Sequence, residues 1–197
     1  MSEWKYRTAG IPDKQFIRGE VPMTKEEIRA VVISKMRLKK NHIVYDIGAG
    51  SGSITVEAAL KSTAGIIYAV EKKEEAVDLI KKNCNKFKLS NVKIIEKEAP
   101  DGLEELPSAD RIFIGGSGGF LKEIISRSDK NLKEDGKIIL TAITVNTLST
   151  AVSQFEQLNY LIDITNISVT KTKKIRDYHM FKALNPVYII SAQKEEK

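Results

Sequence analysis

Ile43-Val44-Tyr45-Asp46-Ile47-Gly48-Ala49-Gly50-Ser51-Gly52 sets the architecture of the whole chain. Its first half is β-branched and aromatic, the composition of a strand buried on both faces of a parallel sheet. Alternating glycines then break the strand, and Ile54, Val56, Ala58 and Ala59 resume at helical spacing. A strand, a glycine turn and a helix together form a cradle. Glycine admits positive φ and lets a ligand approach the main chain, while the new helix turns its unpaired N–H groups toward the loop. The spacing is not the dinucleotide fingerprint, whose third glycine follows the second by three residues. Here Asp46 stands two residues before the first glycine, and the next strand, at 65–70, ends in Glu71. A carboxylate at that point can accept both hydroxyls of a ribose.

Upstream, Thr24 followed by Glu27 forms a capping-box pattern, and Ile28, Val31, Val32 and Met36 predict a helix over 25–36. Residues 1–23 hold Trp4, Tyr6, Pro12, Phe16 and Pro22 without periodicity and read as an irregular arm anchored by aromatic side chains. Downstream, helices at 74–87, 120–131 and 146–158 alternate with strands at 91–96, 110–114 and 136–143. Two final strands, at 161–170 and 185–192, are separated by a segment, 171–184, that reads as a loop. Those two strands are expected to pair antiparallel at one edge. The pattern predicts an α/β fold: a doubly wound, mostly parallel seven-stranded sheet with an antiparallel C-terminal edge hairpin. No repeat, low-complexity tract or linker divides the 197 residues, so a single domain over 1–197 is expected.

Hydrophobic residues at 42% and charged residues at 29% are ordinary for a soluble globular protein. No apolar run approaches the roughly 20 residues needed to span a bilayer, and the first residues lack the apolar core of a signal peptide. Cys84 is the single cysteine, which excludes an internal disulfide and suits a small packing residue. A cytoplasmic protein without a membrane partner is the expectation. The net charge of +6 fits an anionic partner or simple solubility and does not select a substrate.

In an open α/β sheet, ligands collect beyond the carboxyl ends of the strands, where the strand order reverses. The loops there carry Gly48 to Gly52, Glu71, Glu98 to Asp101, and Gly115-Gly116-Ser117-Gly118-Gly119. The last of these offers an open, backbone-lined floor for a large flat ligand. The alternating glycines with Asp46 and Glu71 resemble the S-adenosylmethionine site of Rossmann-like class I methyltransferases. In such a site Glu71 takes the ribose hydroxyls, Ala99 leaves its main chain open to the adenine edge, and Asp46 orients the turn or the ammonium group.

A narrower resemblance covers nearly the whole chain. The arm Gly10-Ile-Pro-Asp with Phe16-Ile-Arg-Gly-Glu-Val-Pro-Met-Thr-Lys25, the two glycine loops and the terminal Leu184-Asn-Pro-Val-Tyr-Ile-Ile190 resemble the precorrin-6Y / cobalt-precorrin C15-methyltransferase (decarboxylating) family of cobalamin synthesis. That resemblance implies methyl transfer to C15 of a corrin ring with loss of carbon dioxide from the C12 acetate. It implies S-adenosylmethionine contacts at Thr24, Gly48, Ala49, Gly50, Ser51, Gly52, Glu71 and Ala99, no metal ion, and a homotetramer. The acceptor is then a tetrapyrrole, placed against Gly115, Gly116, Ser117, Gly118 and Gly119. Its carboxylates call for cations, and Lys173, Lys174 and Arg176, beside Lys171, are the candidates, with Arg18 from the arm. His179 is a candidate for proton transfer, whereas His42, at the foot of the first strand, reads as structural. Two rivals stand beside this expectation. A tRNA adenine methyltransferase of related fold suits the basic charge, although the Asn/Asp-Pro-Pro-aromatic motif of many nucleic-acid methyltransferases and an RNA-binding domain are missing. A nucleotide-binding scaffold without catalysis is the other.

Overall fold

β1 (Ile43–Ile47) runs through the middle of the sheet because nothing in it but Asp46 resists burial; Val44, Tyr45 and Ile47 are fully enclosed. It pairs in parallel with β2 (Ile66–Val70) on one side and β4 (Ala109–Ile114) on the other, aligning Tyr45 with Tyr68 and Ile112. β3 (Val92–Ile95) extends the sheet beyond β2, and β5 (Leu132–Ala142) beyond β4. β6 (Tyr160–Ile167) is the far edge, and β9 (Val187–Lys194) lies between β5 and β6, antiparallel to both. The strand order is β3-β2-β1-β4-β5-β9-β6. The expected mostly parallel seven-stranded sheet with its antiparallel C-terminal edge is therefore present, and the fold is that of class I methyltransferases. The computed structural model describes residues 4–194, so the ends of the expected 1–197 domain, residues 1–3 and 195–197, lie outside the described residues.

Adjacent strand residues point to opposite faces, and the two faces hold separate cores. Val44 meets α1 (Glu26–Met36) and α2 (Ser53–Lys61), which bring Val32, Met36, Ile54 and Ala58 onto Ile67, Phe113 and Ile139. Tyr45 faces the other way, toward α4 (Leu121–Asn131) and α5 (Val145–Gln157), whose Ile124, Ile125, Ala151 and Phe155 cover Ile112, Ile138 and Ile190. Each such side chain contributes about 1.5–3 kcal/mol by leaving water. α3 (Glu74–Lys86) sets Ile80 and Cys84 on Ala49 and Ala69. Cys84 is a packing residue, with its thiol pushed up to about 11 by burial.

Two local expectations are corrected. The capping box at Thr24 does not form: Lys25 is the N-cap of α1 and no side chain caps it. Glu26 and Glu27 sit in the first turn, where the helix dipole favours negative charge. The segment 171–184 is not a loop. The strand expected over 161–170 stops at Ile167, and β7 (Thr170–Ile175) pairs with β8 (Tyr178–Ala183) in a separate two-stranded hairpin turning at Arg176-Asp177. Lysines among the β-formers hide a period-two pattern. Across the register one face carries Lys171, Lys173, Ile175, Tyr178, Met180 and Lys182, and the other Thr170, Thr172, Lys174, His179, Phe181 and Ala183.

Candidate active site

A cleft of about 340 Å³ opens beyond the carboxyl ends of β1, β2 and β4, at the point where the strand order reverses. Its floor is the loop after β1, held by Gly48 and Ala49 N–H groups donating to the Val70 carbonyl at 2.9 and 3.2 Å. The loop after β4 crosses it, with the Gly115 N–H donating to the Ile47 carbonyl at 2.9 Å. Gly48 is required twice over. Its φ is +69°, and a Cβ there would stand 2.6 Å from the Gly116 carbonyl oxygen. The glycines thus let two loops cross as well as exposing main chain to the cleft.

Glu71 closes the end of β2. Its Oε2 accepts the Gly50 N–H at 2.9 Å, and its Oε1 accepts the N–H groups of Lys72 and Lys73 at 2.9 and 3.0 Å. Three fixed bonds orient the carboxylate, and a carboxylate with about four acceptor positions keeps capacity for hydroxyl donors. Asp46 lies deeper, 1% exposed, and accepts the Thr55 hydroxyl. Burial pushes its carboxyl up to about 7; the bonds from the Thr55 hydroxyl and N–H pull the other way, and the charge of Glu71 adds to the rise.

The arm supplies the roof, with Val21, Pro22 and Thr24 lining the cleft. It is held from beneath by Arg29, wholly buried on α1. The Arg29 Nε donates to Glu57 Oε1 at 2.7 Å, and its guanidinium also donates to the carbonyls of Ile11 and Thr24 and lies 4.7 Å from the centre of the Phe16 ring. Glu57 further accepts the N–H groups of Gly10 and Ile11, both at 2.9 Å.

Of the residues expected at the site, Thr24, Gly48, Ala49, Gly50, Glu71, Ala99, Gly115, Gly116, Ser117 and Gly118 are brought together around this cleft. Ser51 and Gly52 stand outside the lining. Ser51 is buried beneath the loop, and a Cβ on Gly52 would lie 3.0 Å from Ile80, so Gly52 allows α2 and α3 to approach. Gly119 is exposed beyond the crossing, and Arg18 is exposed on the arm. Lys173, Lys174, Arg176 and His179 are exposed on the hairpin, away from the lining. Lys171 reaches back to Glu27 of α1 at 2.7 Å, which ties the foot of the hairpin near the arm's end. His42 is buried, accepts the Lys39 N–H at 3.2 Å, and is lowered in pKa chiefly by burial.

Several lining residues escaped the sequence. Val21, Pro22 and Phe113 belong to the walls, and Lys72, Lys73 and Lys97 surround the mouth. Lys72 pairs with Glu98 at 2.5 Å and Lys97 with Glu105 at 3.0 Å. The strand ends Glu71-Lys72-Lys73 and Lys97-Glu98 carried the signal, since residues just past parallel strands face the ligand edge.

A family model described as a precorrin methyltransferase domain matches residues 15–194. The chain belongs to the precorrin methyltransferase family. Among relatives of this family, a Sulfurisphaera tokodaii protein named "Probable cobalt-precorrin-6B C(15)-methyltransferase (decarboxylating)" is 45% identical over 191 residues, 95% of this chain and 99% of its own. A solved precorrin-6y C5,15-methyltransferase from Geobacter metallireducens superposes with a TM-score of 0.91 at 43% identity, covering 97% of this chain and 100% of that one. A solved precorrin 8W decarboxylase from Methanobacterium thermoautotrophicum gives 0.88 at 32% identity, over 92% and 98% of the two chains. A tRNA (m1A58) methyltransferase from Aquifex aeolicus, at 21% identity and a TM-score of 0.74, shares the fold alone, and the tRNA alternative is not favoured. Among the described residues no helix is long and apolar enough to cross a membrane.

Proposed function

We propose that this precorrin methyltransferase uses S-adenosylmethionine to methylate C15 of a cobalt-precorrin and releases the C12 acetate carboxylate as carbon dioxide, in cobalamin synthesis. The observation that carries the proposal is Glu71: a carboxylate fixed by three N–H groups at the mouth of a cleft between two crossing glycine loops. The names of the relatives, a C(15)-methyltransferase (decarboxylating) in one case and a precorrin decarboxylase in another, support it. The residues present fit the cofactor. An oriented carboxylate suits a ribose diol, bare main chain at Gly48 and Gly50 suits close approach, and Ala99 leaves room beside the adenine edge.

Bound there, S-adenosylmethionine supplies a methyl group on a positively charged sulfur, an electrophile that needs no further activation. The chain's task is alignment. Glu71 holds the ribose end, the main chain of residues 48–50 holds the floor, and the Gly115–Ser117 main chain stands between the donor cleft and a second hollow. That hollow, of about 150 Å³, is lined by Leu121, Leu140, Ile143 and the hydroxyl-bearing Thr141 and Thr147. An apolar wall beside bare backbone suits the face of a conjugated macrocycle. Among the described residues lining the two hollows none is histidine, and the carboxylates Asp46, Glu71 and Glu98 are all engaged. We therefore assign no protein base, and the electron pair left by carbon dioxide passes into the ring. His179, Lys173, Lys174 and Arg176 stand on the hairpin outside both hollows, with Lys173 and Lys174 on opposite faces, and these cations, with Arg18 on the arm, are the candidates for the substrate's carboxylates.

Assembly as a cytoplasmic homotetramer is part of the same proposal. It is supported by Tyr178, Met180 and Phe181, large apolar side chains left 74%, 54% and 82% exposed on a hairpin without buried residues. The deciding experiment incubates the protein with the corrinoid precursor and methyl-labelled S-adenosylmethionine. Gain of one methyl and loss of one carbon dioxide is expected; tight cofactor binding without transfer to any corrinoid would leave the scaffold alternative standing.

A further inference from the structure

Asn83, on α3, does not line the cleft, yet it links the cleft's roof to its floor. It is fully buried, and its carboxamide bonds two stretches of main chain that belong to no helix or strand. Its Oδ1 accepts the Ile17 N–H at 2.8 Å, and its Nδ2 donates to the Ile17 carbonyl at 3.1 Å and to the Ser51 carbonyl at 2.9 Å. Both amide N–H groups are used. The bond to the Ser51 carbonyl is buried, where an unpaired peptide group is costly, whereas the two bonds to Ile17, an exposed residue, hold the arm at the edge of the protein.

Ile17 and Ser51 are where the two walls are anchored. After Ile17 the arm runs across the mouth, placing Val21 and Pro22 in the lining, until Arg29 takes the Thr24 carbonyl. Ser51 follows directly on Gly48, Ala49 and Gly50, which line the floor, and Gly50 is tied on its other side to Glu71. Roof and floor come close: the Pro22 carbonyl oxygen would lie 3.0 Å from a Cβ on Gly50.

We propose that Asn83 is a positioning residue for the methyl-donor cleft: it holds the arm and the glycine loop in the one register that leaves room for the donor. It acts through Ile17 and Ser51 and touches neither donor nor acceptor. The proposal builds on the cleft being an S-adenosylmethionine site. Asn91 provides the control. Its Nδ2 likewise donates to two carbonyls, of Ala59 and Ser62 at 3.1 and 2.9 Å, but at the opposite end of the sheet.

The test is calorimetric titration of the full chain with S-adenosylmethionine and with S-adenosylhomocysteine, together with steady-state kinetics. Asn83→Ala is expected to weaken both ligands about tenfold or more and to raise the donor KM by the same factor. The corrinoid KM is expected to stay near the wild-type value. Asn91→Ala is expected to lower Tm comparably while leaving donor affinity unchanged. If Asn83→Ala does not fold, Asn83→Asp carries the same expectation, being isosteric and lacking the two donors. Wild-type affinity in a folded Asn83 variant overturns the proposal, as does an equal loss in Asn91→Ala. So does failure of both Asn83 variants to fold while Asn91→Ala folds, which would make Asn83 structural only. A wild-type protein that takes neither ligand overturns the reading of the cleft itself, and the proposal with it.

Discussion

The arm and the β7–β8 hairpin are both additions to the same sheet, and they are held in contrasting ways. The arm has little regular structure, yet Ile11, Phe16 and Met23 are buried, and its main chain is gripped by Arg29, Glu57 and Asn83. The hairpin has regular strands, yet none of its residues is buried, and an isolated pair of strands is marginal in water. Regular hydrogen bonding and fixed position are therefore separate properties. A wall of a binding site needs the second, and the arm obtains it from polar side chains sealed beneath it.

The sharpest way to break this contrast is Arg29→Met, which leaves the buried Glu57 carboxylate without its guanidinium. A loss of about 3–5 kcal/mol is expected in urea denaturation; a loss under about 1 kcal/mol would mean that the arm is not held as described. Next in size is a pH effect at Asp46. The folded carboxyl keeps its proton up to about 7, whereas the unfolded one releases it near its ordinary value of 3.8. Between those values the folded state binds more protons, so this group's contribution to stability falls as pH rises and levels off above about 7. Asp46→Asn is expected to remove that fall, gaining a few kcal/mol on the wild type by neutral pH. Parallel denaturation profiles from pH 4.5 to 8 would refute it.

A smaller effect is expected at the mouth of the cleft. Glu71→Ala should cost about 1–3 kcal/mol of donor affinity by calorimetry, roughly 5- to 150-fold, and unchanged affinity would remove Glu71 from the site. The smallest effect lies on the hairpin. Replacing Lys173 and Lys174 with alanine should raise the corrinoid KM by about two- to fivefold, as befits exposed charges, with the donor KM unmoved. Equal changes in both would show that these lysines do not face the acceptor.

The strand–glycine–helix unit and Glu71 were legible because both are local: composition and spacing within thirty or so residues define them. The seven-stranded sheet followed from the alternation of elements. The hairpin was hidden by its own surface, since lysines alternating with β-formers read as a charged loop until the partner strand is seen. Thr24 misled for a related reason. Its spacing to Glu27 suits a cap, but its carbonyl is claimed by Arg29 and the helix starts one residue later. Gly52 shares a motif with Gly48 and Gly50 but serves helix packing, a difference that depends on Ile80, far along the chain. Arg29, Glu57 and Asn83 were beyond reach, because a polar residue on a helix looks like surface until the segment lying over it is known.

The place of β9 bears on how the molecule is made. This strand of eight residues follows β6 by some twenty residues in sequence, yet it lies inside the sheet, joining β5 to β6. During synthesis β6 emerges with no neighbour to pair with, and the sheet stays open at that side until the closing segment clears the ribosome. The sheet is thus completed from the inside by β9, and a nascent polypeptide halted just short of that strand would carry a nearly finished cleft on an unsealed scaffold.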